Sequence, residues 1–450
     1  MMNSIEFNKH YLIGTNINYD NIPLKNHYTN EQFNYEYDNI MQNFCGNIIN
    51  NNNYVNFIDK IQNLDNTICY YLCGDITLIN QWFNNIFSDN FDVNNIYIIG
   101  DFSYNIPLFR SNVSIIGIGS IPLNMYNCGI LLKNVFSDIE TIDTLDKYIN
   151  TMNNNINIDK NYFKDIIEQH NLQNLTESNK LSSAFRKGIY ITNINKIDND
   201  YYFKLLRCSS NFEGPTDNLR DIDKLIINHT NNIASKYFSD KIDLNHVLAQ
   251  LYINDFVNGK EKKAKIKVHS DKTKDMDLNG GMAFCTFYDN ITNLKSKDIK
   301  CSTYDKFDYC YGNCSIFTTL HFKLKLDVND DKYIKQFSII LYPNSLFLIP
   351  LNINRLYTHE IRPSPLPIDK LPTRLGYVIR CSNTNAVHKN GKTYIIDNNT
   401  KEEHLLYEPT ENEFLQLKEL YYQENITSKY INYNDIYFTL NKGDHLQPLL

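Results

Sequence analysis

"RLYTHEIRPSPLPIDKLPTRLGYVIRC", residues 355–381, reads as two strands separated by a proline-rich connection. In the second, "RLGYVIR", Arg374, Gly376, Val378 and Arg380 share one face while Leu375, Tyr377 and Ile379 share the other. Such a strand covers a core on one side and presents two arginines on the other. The same texture continues upstream. "LNHVLAQLYI", "AKIKVH", "MAFCTFYD", "SIFTTLHFKLKL", "QFSIILYP" and "SLFLIPL" are short apolar or alternating runs with turn residues between them. With the opening pair they make eight strands, preceded by "GIYITNI", "YYFKLLRC" and one amphipathic helix over 219–238, with Leu219, Ile222, Ile226 and Ile233 near one face. This succession predicts a jelly roll or barrel, with a last helix over 411–423 packed outside it.

The N-terminal part reads differently. "TICYYLCGD", "NNIYIIGDF" and "VSIIGIGSIPL" are strand-like, with helical spacing in "LINQWFNNIF" and "IETIDTLDKYINTM", so a smaller α/β unit is expected there. Residues 1 to about 60, ending in "NIINNNNYVNFI", read as loosely packed. The polar stretch "LTESNKLSS" sets a domain boundary near 175–182: residues 1–180 form an N-terminal α/β domain of unassigned role, and residues 181–450 the jelly-roll domain with a C-terminal helical extension. The fold class is therefore α+β.

A chain of 450 residues with 42% hydrophobic content can bury a sizeable core. A net charge of −7 excludes nucleic-acid binding through a surface that is basic overall, and leaves room for a local basic groove. Ten cysteines without regular close spacing indicate a reducing compartment. No apolar leader and no run of 18 apolar residues is present, so a soluble, cytoplasmic or nuclear protein is expected. Abundant Asn, Ile, Tyr and Lys are what AT-rich coding sequence leaves, as in a large DNA virus or a protist, and say nothing of function.

The chemistry begins at "KVHSDKTKDM" (267–276), where His269 and Asp271 lie two apart. A non-haem iron(II) site needs two imidazoles and one carboxylate on one face of the metal, with open positions opposite. A second histidine must come from a distant strand: His321, His359, His388, His404 or His445. A 2-oxoglutarate co-substrate also requires a cation for its distal carboxylate, best an arginine one strand further on. His359 has Arg374 fifteen residues later, across the proline-rich connection; His321 meets no arginine before Arg355 and is rejected. Arg380 shares the face of Arg374 and can meet a second carboxylate or anchor Asp271, while Gly376 leaves space beside the strand.

The set His269-x-Asp271, His359 and Arg374 resembles the iron(II)- and 2-oxoglutarate-dependent dioxygenases. "YPNSLFLIPLNINRLYTHEIRP" followed by "RLGYVIR" resembles the AlkB-like members: a turn and apolar strand, an aromatic-x-His-x-Ile segment (Tyr357 to Ile361), then two arginines six apart. The resemblance spans roughly residues 240–385. It implies a double-stranded β-helix and iron(II) held by His269, Asp271 and His359. It also implies 2-oxoglutarate held by Arg374 at its distal carboxylate and Arg380 at the carboxylate nearer the metal. Gln250 and Tyr252 stand near the places of the family's Asn-x-Tyr, while the asparagine and threonine between its arginines are Gly376 and Val378 here. The implied reaction consumes O2, converts 2-oxoglutarate to succinate, and hydroxylates or oxidatively demethylates a substrate.

Nucleic acid is the expected substrate, met by Lys263, Lys265 and Lys267, which share strand parity with His269 if the strand is regular. The alternatives are a protein or small-molecule hydroxylase with the same iron site, and a catalytically silent jelly roll serving binding or virion structure. Cys301, Cys310 and Cys314 lack the spacing of a zinc site.

Overall fold

A computed structural model describes residues 128–132, 135–136, 162–177, 180–208, 212–238, 241–289, 314–330 and 333–450, together with the backbones of short strands between residues 10 and 124 and of 310–311. Most of the described structure is antiparallel sheet with few helices, in an arrangement compatible with a β-sandwich or jelly roll.

In chain order, the elements that frame the site are α1 (Tyr162–Gln169), β1 (Lys180–Thr192), α2 (Asp221–Tyr237), β2 (His246–Tyr252), β3 (Ile266–His269), β4 (Gly281–Tyr288), β5 (Thr319–Leu324), β6 (Gln336–Ile340), β7 (Ser345–Pro350), α3 (Leu351–Leu356), β8 (Tyr357–Ile361), β9 (Arg374–Arg380) and α4 (Glu411–Ile426). A nine-stranded major sheet runs through 217–218, β1, β2, β9, β4, β7, 130–132 and 123–124, with 173–177 paired to β1. The minor sheet has the order β3, β8, β5, β6.

Strand alternation sorts the core into two layers. Leu375, Tyr377 and Ile379 of β9, with Val247, Ala283, Phe287 and Leu348 of its neighbours, face α1 and α2 and pack on Phe163, Ile166, Ile226 and Ala234. The opposite faces, with Leu248, Phe284 and Phe347, meet Phe322, Phe337, Ile339, Tyr357 and Ile361 of the minor sheet. Each large side chain so buried contributes about 2 to 3 kcal/mol. The arginine face of β9 therefore looks into the space between the sheets. Helix α2 carries the expected apolar face, with Ile226 buried and Leu219, Ile222 and Ile233 packed beside it.

Several expectations are corrected. Leu351, read as the end of one strand, and Arg355 and Leu356, read as the start of the next, belong to α3, and the strand starts only at Tyr357. Strand 130–132 pairs with β7, and Phe163 and Ile166 of α1 lie in the helix-side core. Within residues 1 to 60, 10–14 and 47–49 are strands. With 69–73, 96–100 and 113–117 they form an all-parallel sheet of five strands. The helices expected over 78–87 and 139–152 lie outside the described residues. A further antiparallel sheet, 195–197, 200–205, 384–389, 392–396 and 403–405, was not expected. Its Asn390-Gly391 turn, both residues at positive φ, is the hairpin signal that could have shown it. No helix among the described residues is long and apolar enough to cross a membrane.

Candidate metal centre

Antiparallel pairing of β3 with β8 sets His269 directly opposite His359, with ring centroids 4.4 Å apart. Among the described residues, His269, Asp271 and His359 form the one group of three metal-ligating side chains, each offering an atom within 4.8 Å of the others. His321 is on the adjacent β5, but its register partner is Glu360 while Phe322 faces His359, and its Nδ1 lies 2.7 Å from Ser338 Oγ. His388 pairs with Thr393, and His404 stacks on Tyr437; neither joins the group.

Strand alternation is not what aligns Asp271 with His269. β3 ends at His269, and its pairing with β8 is irregular between Ile266 and His269. Asp271 lies beyond the strand and is fixed by other means. Its backbone N–H donates to Asn354 Oδ1, and its carbonyl accepts from Asn354 Nδ2, each at 2.9 Å. Its Oδ2 accepts from Arg380 Nη2 at 2.9 Å and Nε at 3.2 Å. Burial alone would raise the Asp271 carboxyl, but the Arg380 guanidinium holds it well below the usual carboxylate range. It is therefore an anion facing His269 Nε2 at 3.6 Å.

The two imidazoles are prepared differently. His269 Nδ1 donates to the Lys267 carbonyl at 2.8 Å, which leaves the Nε2 lone pair toward Asp271. His359 is buried between Phe284 and Phe322, with centroids at 5.9 and 5.7 Å. Burial, reinforced by His269, pushes its imidazole down to about 3, so it is neutral. Its Nδ1 has no hydrogen-bond partner among the described residues. An orphaned nitrogen, a neutral ring and an adjacent carboxylate are the donor set that a divalent transition metal fits.

The residues expected to hold a co-substrate divide. Arg374 is buried, lies opposite Tyr252 on β2 with its guanidinium carbon 4.7 Å from that ring, and lines a cavity of about 470 Å3 bounded also by Asn254, Ile316, Thr318 and Ile361. Its Nε and Nη1 have no partner among the described residues. The guanidinium thus keeps donor capacity for a carboxylate. Tyr252 O–H donates to Gln250 Oε1 at 3.1 Å, so the two expected β2 residues are coupled. Arg380 is spent largely on Asp271, with Nη1 alone left unpartnered among the described residues. The space beside Gly376 is filled by Arg374 itself, because a Cβ there would lie 2.9 Å from Arg374 Nη2.

Of the lysines expected to face a substrate, Lys263 Nζ donates to the carbonyls of Ser364 and Leu366 and pairs with Glu261, while Lys265 and Lys267 are exposed. Sequence reasoning missed Asn354, and it expected helix α4 without its contact to the loop that carries Asp271. Asn425 accepts from Ser270 N at 2.9 Å, and Glu424 from Thr273 Oγ1 at 2.5 Å, so α4 is bolted to the ligand-bearing loop rather than packed outside. Thr410 and Glu413 form its capping box, a signal visible as Thr-x-x-Glu.

No family model and no curated protein matches the chain. Among solved structures it is similar to OsALKBH1, at 15% identity over 41% of this chain and 78% of that one, with a TM-score of 0.21. It is similar also to the Fe(II)/(alpha)ketoglutarate-dependent dioxygenase TqaL, at 9% identity over 51% and 75%, with a TM-score of 0.21. A third likeness, to CapF solved with the inhibitor 3-isopropenyl-tropolone, has 9% identity over 88% and 98% and a TM-score of 0.16. Overlaps this low carry no argument about chemistry, and the site stands on its own geometry.

Proposed function

We propose that the chain is an iron(II)- and 2-oxoglutarate-dependent dioxygenase, built on a double-stranded β-helix, that hydroxylates or oxidatively demethylates a substrate C–H bond. One observation carries this reading: two imidazoles and one carboxylate converge within 4.8 Å on the arginine side of the major sheet, where the buried Arg374 keeps unpartnered guanidinium nitrogens. Iron(II) with 2-oxoglutarate and O2 supplies the oxidising power, 2-oxoglutarate leaving as succinate and CO2. The residues of the chain hold and orient. His269, Asp271 and His359 provide three ligands on one side; Arg380 keeps Asp271 ionised; Arg374 receives the distal carboxylate against the Tyr252 ring, and Gln250 sets the Tyr252 hydroxyl. Asn354 fixes the backbone on which Asp271 sits.

Nucleic acid is the proposed substrate, supported by the exposed Lys265 and Lys267 beside His269. The net charge of −7 and the capture of Lys263 by the 364–366 carbonyls favour a second reading, in which the same site hydroxylates a protein side chain or a small molecule. Anaerobic titration of the apo-protein with iron(II) and 2-oxoglutarate tests the shared core of both. The visible charge-transfer band of the chelate is expected, absent in His269→Ala and shifted to higher 2-oxoglutarate in Arg374→Ala. Absence of the band at full metal occupancy would refute the dioxygenase reading and leave a binding protein. Succinate release with methylated oligonucleotides against peptides then separates the two substrate classes.

A further inference from the structure

On another flank of the ligand-bearing loop, Thr273 and Lys274, Arg355 of α3 and the segment 430–435 enclose a cavity of about 190 Å3. Two cations border it without a direct ion pair among the described residues. Lys274 Nζ is buried and has no hydrogen-bond partner among the described residues; the Tyr421 ring centroid lies 6.0 Å away, and Asp275 and Asp444 act on it only through space. Arg355 Nη1 is likewise buried and unpartnered among the described residues.

Neighbouring buried cations are handled otherwise. Arg207 meets Asp275 and the carbonyls of Ile436 and Phe438, Lys325 meets the carbonyls of Glu424 and Thr427, and Lys272 meets Tyr421 O and Asn425. The carboxylates nearby are already engaged: Asp275 with Arg207 and Thr384, Asp444 with Thr439 and Asn441, Glu424 with Thr273 and Tyr433. Asp435 lines the cavity too, yet forms no bond to either cation. A buried cationic group without a hydrogen-bond partner is costly, and two such residues belong to the lining of one cavity. Burial, with Arg207 nearby, pushes the Lys274 ammonium down to about 7.

We infer that this cavity binds a phosphate group, clamped between the Lys274 ammonium and the Arg355 guanidinium. The chemistry fits: a point charge and a planar donor fork together match a tetrahedral oxyanion, and the asparagine side chains of 432 and 434 and Thr273 supply a polar lining. The volume far exceeds the roughly 15 Å3 that a single water requires. A phosphate held there ties the loop after Asp271 and α3, which precedes His359, to the C-terminal segment. The site is independent of the iron reading.

The test is calorimetric titration of the full-length, chelator-treated protein with sodium phosphate, against sodium chloride of equal ionic strength. A parallel titration with the dinucleotide dTpdT shows whether the site takes a free ion or a phosphodiester within a polymer. Phosphate is expected to bind, with the dissociation constant raised at least tenfold in Lys274→Met and in Arg355→Gln, partly restored in Lys274→Arg, and unchanged in Arg374→Gln. Binding of dTpdT lost in the same variants assigns a phosphodiester; binding of inorganic phosphate alone assigns the free ion. No heat beyond chloride, or equal affinity in folded Arg355→Gln, overturns the inference. Should Lys274→Met fail to fold, Arg355→Gln and Lys274→Arg still decide it.

Discussion

Two buried histidine and aspartate clusters lie on opposite sides of the major sheet, and they are built to opposite ends. On the helix side, His170 is held between Asp217 Oδ2 at 2.8 Å and Asp223 Oδ2 at 2.9 Å, with Arg220 on Asp217 and the Tyr377 hydroxyl on Asp223 Oδ1 at 2.7 Å. Both ring nitrogens donate, so the ring is an imidazolium. Burial lowers its pKa, but the two carboxylates outweigh burial and bring it up to about 9. On the minor-sheet side, His359 is pushed down to about 3 and keeps an orphaned Nδ1, while Arg374 and Arg380 keep open nitrogens. The residue types are the same, and satisfaction is what differs. A saturated cluster holds the fold together; an unsaturated one stores capacity for a ligand.

The sharpest way to break this contrast is to remove one histidine from each cluster. His359→Leu is expected to abolish the iron(II) chelate band while leaving the melting temperature of the apo-protein unchanged or a few degrees higher, because an orphaned polar atom among phenylalanines is replaced by apolar volume. Loss of apo stability with iron binding retained would reverse the assignment. His170→Asn is expected to do the opposite, costing about 3 to 5 kcal/mol in denaturant unfolding by stranding two buried carboxylates, with iron affinity of the folded protein preserved.

The pH dependence sharpens the same point. The folded value of His170, about 9, lies above the ordinary 6.5, so its contribution is fully present below pH 6.5 and is lost as pH rises through about 9. Relative to His170→Asn, the wild-type protein should lose about 3 kcal/mol of stability across that window. Taking the difference between the two proteins cancels the slopes from Lys272 and Lys325, both down to about 8.

Smaller effects probe the open side. Arg374→Lys keeps the charge and loses the fork, and should raise the 2-oxoglutarate requirement of the chelate band about 10 to 100-fold with iron affinity unchanged. Gly376→Ala places a methyl 2.9 Å from Arg374 Nη2 and should raise the same requirement several-fold by displacing the guanidinium. An unchanged titration would mean that Arg374 does not need its present pose.

Much of the site was legible because its signals are local. The parity of "RLGYVIR" put Arg374 and Arg380 on one face, and the structure places that face between the sheets while Leu375, Tyr377 and Ile379 enter the helix-side core. His359 was separable from His321 because an arginine must follow at strand distance, and the register agrees, His321 facing Glu360. Where regular alternation fails, sequence reasoning failed with it. The pairing of β3 is irregular between Ile266 and His269 and Asp271 lies beyond the strand, and such an irregularity leaves no periodic mark. Residues 351–356 formed a helix because the apolar run "SLFLIPL" is ambiguous at its end.

The sequence by itself determined which side chains were available and which faces they took: a strand-rich chain, a His-x-Asp, a histidine with an arginine one strand beyond. Those properties depend on chemistry and on a period of two residues. The tertiary structure alone decided which were left unsatisfied. His170 became structural because the fold returns Asp217 and Asp223, 47 and 53 positions further along the chain, to its two nitrogens, and His359 stayed open because its cross-strand and core neighbours are another imidazole and aromatic rings. Whether a buried polar atom finds a partner is a property of long-range packing, where each hydrogen bond depends on placement to a fraction of an ångström, and no local pattern carries that information.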